Sequence, residues 1–206
     1  MRALIALTGG IGAGKSLVAR FLRDHGAVTI DADEVARDCV LDPDVHASLR
    51  TLIPGAFAAS GELDRGAMAQ AVFADAELRQ QVERLMHPWI RSRMRQLAEQ
   101  AWADGATVAV LEIPLLVESR AAHEIAAEFD GVITVESPES TRLVRLHARG
   151  LAESEARARM AAQATTEQRC EIASWVIEND GDQFQLQRQV SEVWQAINHM
   201  EVGDQP

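Results

Sequence analysis

The sequence predicts a doubly wound α/β domain on a parallel five-stranded sheet, and three observations carry that prediction. Short apolar runs of strand length recur at 2–8, 27–30, 107–112, 131–136 and 175–178. Segments with helical spacing lie between them, the alternation that covers a parallel sheet on both faces. A glycine-rich turn follows the first run at once and leads straight into a helix-spaced segment.

The first strand, Arg2 to Thr8, runs into Gly9-Gly10-Ile11-Gly12-Ala13-Gly14-Lys15-Ser16, which fits the pattern G-x-x-x-x-G-K-[ST]. Leu17 to Arg23 then has the spacing of a helix. Glycines let such a loop wrap with its N–H groups inward, and the helix adds its positive N-terminal end, so a polyphosphate is held mostly by backbone. Lys15 is the only lysine in the chain, against 19 arginines. An ammonium is a compact point charge that fits between a tight loop and a phosphate chain, whereas a guanidinium is a wide fork. We read a P-loop in which Gly10, Ile11, Gly12, Ala13 and Gly14 wrap a polyphosphate. Lys15 reaches the β and γ phosphates, and the Ser16 hydroxyl holds Mg2+. The competing reading is a glycine turn that binds nothing.

The second strand, Ala27 to Ile30, ends at Asp31-Ala32-Asp33-Glu34, where a helix to about Leu41 begins. Parallel sheets bind ligands beyond the carboxyl ends of their strands. Asp31 with Glu34 three residues on reads as a capping box, a structural role. Asp33 is not needed as the cap, so it is a candidate for handling a proton or a metal beside the phosphate site.

Residues 34–102 are too many for one crossover helix and read as an inserted helical region. Within it, Gly61 to Gly66 reads as a turn, and Pro88 suits the first turn of a helix running to about Trp102. The chain is expected to form one domain: a core at about 1–33, 103–147 and 170–206, the insert, and a small helical lid at about 148–169. Phe184 to His199 closes it as an amphipathic helix.

Arg142, Arg145, Arg149, Arg157, Arg159 and Arg169 cluster in an otherwise acidic chain. Either they form a solvated helix face, or one or two of them belong to a mobile lid hinged at Gly150. Phosphoryl transfer rewards the second arrangement, since a cation about 4 Å from a phosphate oxygen contributes up to ~4 kcal/mol at an effective dielectric of 20.

The net charge of −11 argues against a nucleic-acid or membrane-surface binder. Cys39 and Cys170 have no metal-site spacing and read as reduced thiols. The few residues before the glycine loop are too short for a signal peptide, so the expected location is the cytoplasm. A GTPase switch would need an N-K-x-D motif, which a chain with one lysine already in the phosphate loop does not have.

Taken in order, these segments resemble the dephospho-CoA kinase family from about Ala6 to Gly181. Thr8 to Ser16 is similar to its T-G-G-I-G-x-G-K-S opening, and Asp31-Ala32-Asp33 to its D-A-D. Leu63-Asp64-Arg65, Val72-Phe73 and His87-Pro88 resemble its landmarks in the insert, which adenylate and shikimate kinases lack. Pro114-Leu115-Leu116 with Glu118, then Arg145 and Arg149, Gln163, and Asn179-Asp180-Gly181 complete the series.

The resemblance implies that ATP phosphorylates the ribose 3′-hydroxyl of dephospho-CoA, giving CoA and ADP, the last step of coenzyme A synthesis. It implies Asp33 as the group that takes or orients the hydroxyl proton, with Thr8 beside the reacting groups. Arg145 or Arg149 would close over the phosphates, Leu17 would offer its backbone N–H near the α-phosphate, and Asn179 would lie near the adenine. His87, Leu115, Leu116 and Glu118 would line the acceptor cleft, although His87 by itself also reads as a packing residue. No obligatory protein partner is implied. Leu17, Glu112 and Val117 depart from the family's usual threonine, aspartate and aromatic residue. Two other readings stay open: a different P-loop kinase for a small metabolite or nucleoside monophosphate, and a nucleotide-binding regulator without transferase activity.

Overall fold

The computed structural model of the chain describes residues 2–200. β1 (Ala3–Gly9) passes through the glycine loop into α1 (Lys15–Asp24), and β2 (Val28–Asp31) follows. Next come α2 (Ala32–Cys39), α3 (Pro43–Leu52), a 3-10 turn at Pro54–Ala56, α4 (Arg65–Ala74) and α5 (Ala76–Ala103). The chain continues through β3 (Val108–Glu112), α6 (Leu116–Ser119), α7 (Ala122–Glu128) and β4 (Gly131–Glu136). It ends with α8 (Glu139–Ala148), α9 (Glu153–Ala161), α10 (Thr166–Glu171), β5 (Trp175–Glu178) and α11 (Gln183–Asn198). Two compact units result, one of residues 32–97 and one of the chain on either side of it.

In the larger unit the five strands form one parallel sheet in the order β2-β3-β1-β4-β5, with helices on both faces. Every residue of β1, β3 and β4 is buried, as the unbroken apolar runs predict for the centre of such a sheet. β2 and β5 are the edges and are only partly buried, leaving Val28 and Val176 exposed. On one face, Val18 and Leu22 of α1 meet Leu186, Val190 and Ile197 of α11 over Ile5, Leu7 and Ile133. Each such fully buried side chain contributes about 1.5–3 kcal/mol, set against the entropy of ordering the chain.

β1 lies between β3 and β4, so the chain leaves it toward β2 and later crosses back to the other side. That reversal opens a crevice at the carboxyl end of β1, the place where sheets of this kind take ligands. The glycine loop starts there.

The smaller unit has its own apolar cluster, in which Val45, Leu49, Ile53, Val82 and Met86 are buried. Asp42 caps α3, its Oδ1 accepting from the amides of Asp44 and Val45 at 3.1 and 3.2 Å, with Pro43 in the first turn. The Val45 amide, then the Trp89 side chain, hold the Asp42 carboxyl below its ordinary pKa. Cys39 is fully buried here, and burial, aided by the Asp42 charge, pushes its thiol up to about 11. It stays a protonated thiol.

Two expectations for this region need correction. No helix begins at Pro88: α5 runs unbroken from Ala76 to Ala103 with Pro88 inside it. The proline nitrogen cannot donate to the Arg84 carbonyl, a loss of one bond. Apolar packing on both sides keeps the helix in register, because Val82, Leu85 and Met86 before the proline and Trp89 and Ile90 after it all join the same cluster. The predicted turn at 61–66 is also shorter. Gly61, at φ 89°, makes the reversal, Phe57 pairs with Leu63, and Asp64 already caps α4 through the amides of Gly66 and Ala67.

Candidate active site

The phosphate loop is held from behind by side chains on α8 and just past the ends of β4 and β5. Arg142 Nε donates to the Ile11 carbonyl at 2.8 Å. The Ala13 carbonyl accepts from Asn179 Nδ2 at 2.7 Å, Arg145 at 3.0 Å and Ser137 Oγ at 3.2 Å. In a trans peptide the N–H points opposite the C=O. Fixing the Ile11 and Ala13 carbonyls outward therefore turns the N–H groups of Gly12 and Gly14 toward the inside of the loop. The cradle for an anion is set by its outer supports.

Two glycines make room for these supports. Gly14 stands at φ 102°, and a Cβ there would collide with the Asn179 amide. Gly10 has the Arg142 guanidinium carbon 2.8 Å from where its Cβ would be. A side chain at either position would displace one of the supports.

Lys15 opens α1, and its Nζ lies 3.9 Å from the buried Glu112 carboxylate at the end of β3. Arg23 reaches the same carboxylate at 3.6 Å, and Glu112 is in register with Asp31 of β2 and Leu7 of β1. Thr8 is fully buried at the end of β1, and its hydroxyl donates to the Pro114 carbonyl at 3.4 Å. Ser16 is exposed in the first turn of α1. These residues converge at the crevice.

Other predicted residues fall differently. Leu115 is half exposed, but Leu116 is fully buried and belongs to the packing that supports the segment. Glu118 accepts from the Ala164 amide at 2.7 Å. Leu17 packs its side chain on the core, and its amide, in the first turn of α1, donates to the Gly14 carbonyl at 3.0 Å. Asp31 ends β2, and Asp33 is exposed in the first turn of α2, in the smaller unit. His87 is half-buried on α5 of that unit. Asn179 is buried and is itself part of the loop's support.

The arginine cluster separates into four kinds. Arg157 and Arg159 are on the solvated face of α9, pairing with Glu153 and Glu139 and with Glu155. Arg169 is buried on Glu136, which also accepts from Thr134 and Thr166. Burial works against the Arg169 charge, yet the Glu136 carboxylate outweighs it and raises its pKa. Arg142 is shifted down, first by burial and then by nearby Arg169. Arg145, on α8 ahead of Gly150, is bound to the loop and to Asn179, with NH2 2.9 Å from the Asn179 carbonyl. Arg149 ends α8 exposed, with no ion pair among the described residues. Ser137 and Arg142 escaped the sequence reading as loop supports, since nothing in their spacing shows what α8 faces.

A sequence model of dephospho-CoA kinase matches residues 3–185. The chain belongs to the dephospho-CoA kinase family. Among curated relatives of this kinase family, the dephospho-CoA kinase of Streptomyces avermitilis is 41% identical over 198 residues, covering 95% of this chain and 94% of that one. Of solved structures, TT1252 from Thermus thermophilus superposes with a TM-score of 0.82 at 34% identity, covering 95% of this chain and 97% of that one. The dephospho-CoA kinase from Campylobacter jejuni does so with a TM-score of 0.70, covering 96% and 98% of the two chains. At 24% identity this last likeness bears on the fold alone. Among the described residues no helix is long and apolar enough to cross a membrane.

Proposed function

We propose that the chain transfers the γ-phosphoryl group of ATP to the ribose 3′-hydroxyl of dephospho-CoA, completing coenzyme A synthesis in the cytoplasm. The observation that carries the donor half is the loop whose outer carbonyls are tied back by Arg142, Arg145, Ser137 and Asn179. A preorganised row of N–H groups costs no reorganisation when charge builds on the phosphates. Family membership names the acceptor.

In this reading Lys15 leaves Glu112 to hold the β and γ phosphates, and the α1 N-terminus adds its positive end. Asp33 orients the 3′-hydroxyl and takes its proton. Arg145 stays on the loop, which leaves Arg149 as the arginine free to approach the phosphates from beside Gly150. His87, Leu115 and Glu118 face the acceptor, and residues 34–102 grip its pantetheine arm and diphosphate. Thr8 fixes the Pro114-Leu115 segment beside the reacting groups.

Among the described residues no cluster of three or more His, Cys, Asp or Glu could hold a metal ion. Mg2+ keeps several waters and takes one or two protein oxygens beside substrate phosphates. The exposed Ser16 hydroxyl, next to Lys15, is the residue that would hold it. When bound, Mg2+ neutralises charge on the phosphate oxygens.

Phosphorus NMR of the product formed from Mg-ATP and dephospho-CoA tests the reading. We expect a new monoester signal assigned to the ribose 3′-oxygen. Release of inorganic phosphate with dephospho-CoA unchanged would contradict it and favour a nucleotide-hydrolysing regulator.

A further inference from the structure

Two cations share one buried carboxylate beside the phosphate loop. Glu112, the last residue of β3, is 5% exposed. Lys15 Nζ lies 3.9 Å from its Oε2 and Arg23 Nη1 lies 3.6 Å from its Oε1, so each cation has its own oxygen. They come from opposite ends of α1, Lys15 opening the first turn and Arg23 standing in the last. Arg23 is also tied down separately, because the same nitrogen donates to Thr29 Oγ1 of β2 at 2.6 Å.

This sharing bears on what it costs to use Lys15. When Lys15 turns to the phosphates of a bound nucleotide, Glu112 loses the cation on Oε2 and stays where it is, buried at the end of a central strand. Withdrawing a partner from a buried charge is expensive, because the remaining charge keeps its desolvation cost and loses the attraction that offset it. The nucleotide bears that difference as lost affinity. A second cation on the other oxygen limits the loss, provided that it does not leave with Lys15. Arg23 meets that condition, since Thr29 holds it on the β2 side of the carboxylate.

We propose that Arg23 is a positioning residue that stays on Glu112 as its standing counter-ion, so that Lys15 is released to the phosphates at little cost. This rests on the donor-site reading above, in which Lys15 holds the β and γ phosphates. At 3.6 Å the Arg23 contact is an ion pair rather than a hydrogen bond, so it has room to tighten when Lys15 departs. Arg23 thus acts on the nucleotide through Glu112 and Lys15. As a basic residue in the last turn of α1 it also complements the helix dipole, but that role does not depend on Glu112. The dependence on Glu112 is what sets the two roles apart.

The test is a double-mutant cycle, read by calorimetric titration of the full chain with the Mg2+ complex of a non-hydrolysable ATP analogue. Arg23→Gln keeps a donor for Thr29 and drops the charge. The dissociation constant should rise roughly 5–30-fold, between the worth of an exposed ion pair and the cost of an uncompensated buried charge. In a Glu112→Gln background the same change should move the constant less than about 2-fold, because no buried charge is left to balance. Arg23→Lys restores the charge and should bind within about 3-fold of the parent. A purely structural role for Arg23, or its direct attraction for the phosphates, predicts the same loss in both backgrounds, and that result overturns the proposal. So does an unchanged constant in Arg23→Gln. Arg23→Lys binding as poorly as Arg23→Gln overturns it as well, and this comparison decides the matter even if Glu112→Gln fails to fold. If the parent chain itself does not bind the analogue, the donor-site reading falls and this proposal with it; if the parent binds, only the role of Arg23 is at stake.

Discussion

Lys15→Arg should fold as the parent does and lose turnover by roughly 10²–10³-fold, the scale of removing one preorganised group that stabilises transition-state charge. The reason is the geometry at Glu112. Lys15 Nζ stands 3.9 Å from that buried carboxylate, a loose contact that a phosphate chain can outcompete. A guanidinium is wider and makes two parallel bonds to a carboxylate. Arginine at 15 would be locked onto Glu112, beside Arg23, and would not reach the phosphates. Steady-state kinetics at saturating Mg-ATP, with a thermal melt to confirm folding, read the effect. Near-parental turnover would remove Lys15 from the reaction.

Asp33→Asn should cut turnover by roughly 10²–10⁴-fold while leaving ATP binding nearly unchanged, since it removes only the proton acceptor. Asp31→Asn provides the contrast. Asp31 ends β2 directly ahead of α2, where asparagine caps almost as well as aspartate, so that variant should show a small stability change and little kinetic effect. Equal and modest losses in both would show that neither is the base. The split between kcat and KM for ATP separates a missing base from a damaged donor site.

How far the sequence alone reached depends on the range of the interactions involved. All five strands lie within a residue or two of where the apolar runs put them, because β1, β3 and β4 are buried on both faces and are apolar along most of their length, with Thr8, Glu112, Thr134 and Glu136 in their carboxyl-terminal halves. Pro88 misled for a local reason: a proline usually starts a helix, and only the shared packing of Met86 and Trp89 shows that this helix continues. Lys15, Ser16 and the loop glycines were legible because a phosphate cradle is contiguous in sequence. Its supports were not. Arg142, Arg145 and Arg149 recur at helical spacing on α8, which shows a shared face but not that the first two of them bind the loop more than a hundred residues earlier.

Acceptor choice tests the central claim most directly. With Mg-ATP fixed, ADP release should be stimulated by dephospho-CoA far above AMP, shikimate, gluconate or pantothenate. Adenosine should be poor, because it offers the ribose hydroxyl without the diphosphate and pantetheine arm whose binding energy lowers the barrier. AMP as effective as dephospho-CoA would contradict the account and make the chain a nucleotide kinase on the same fold.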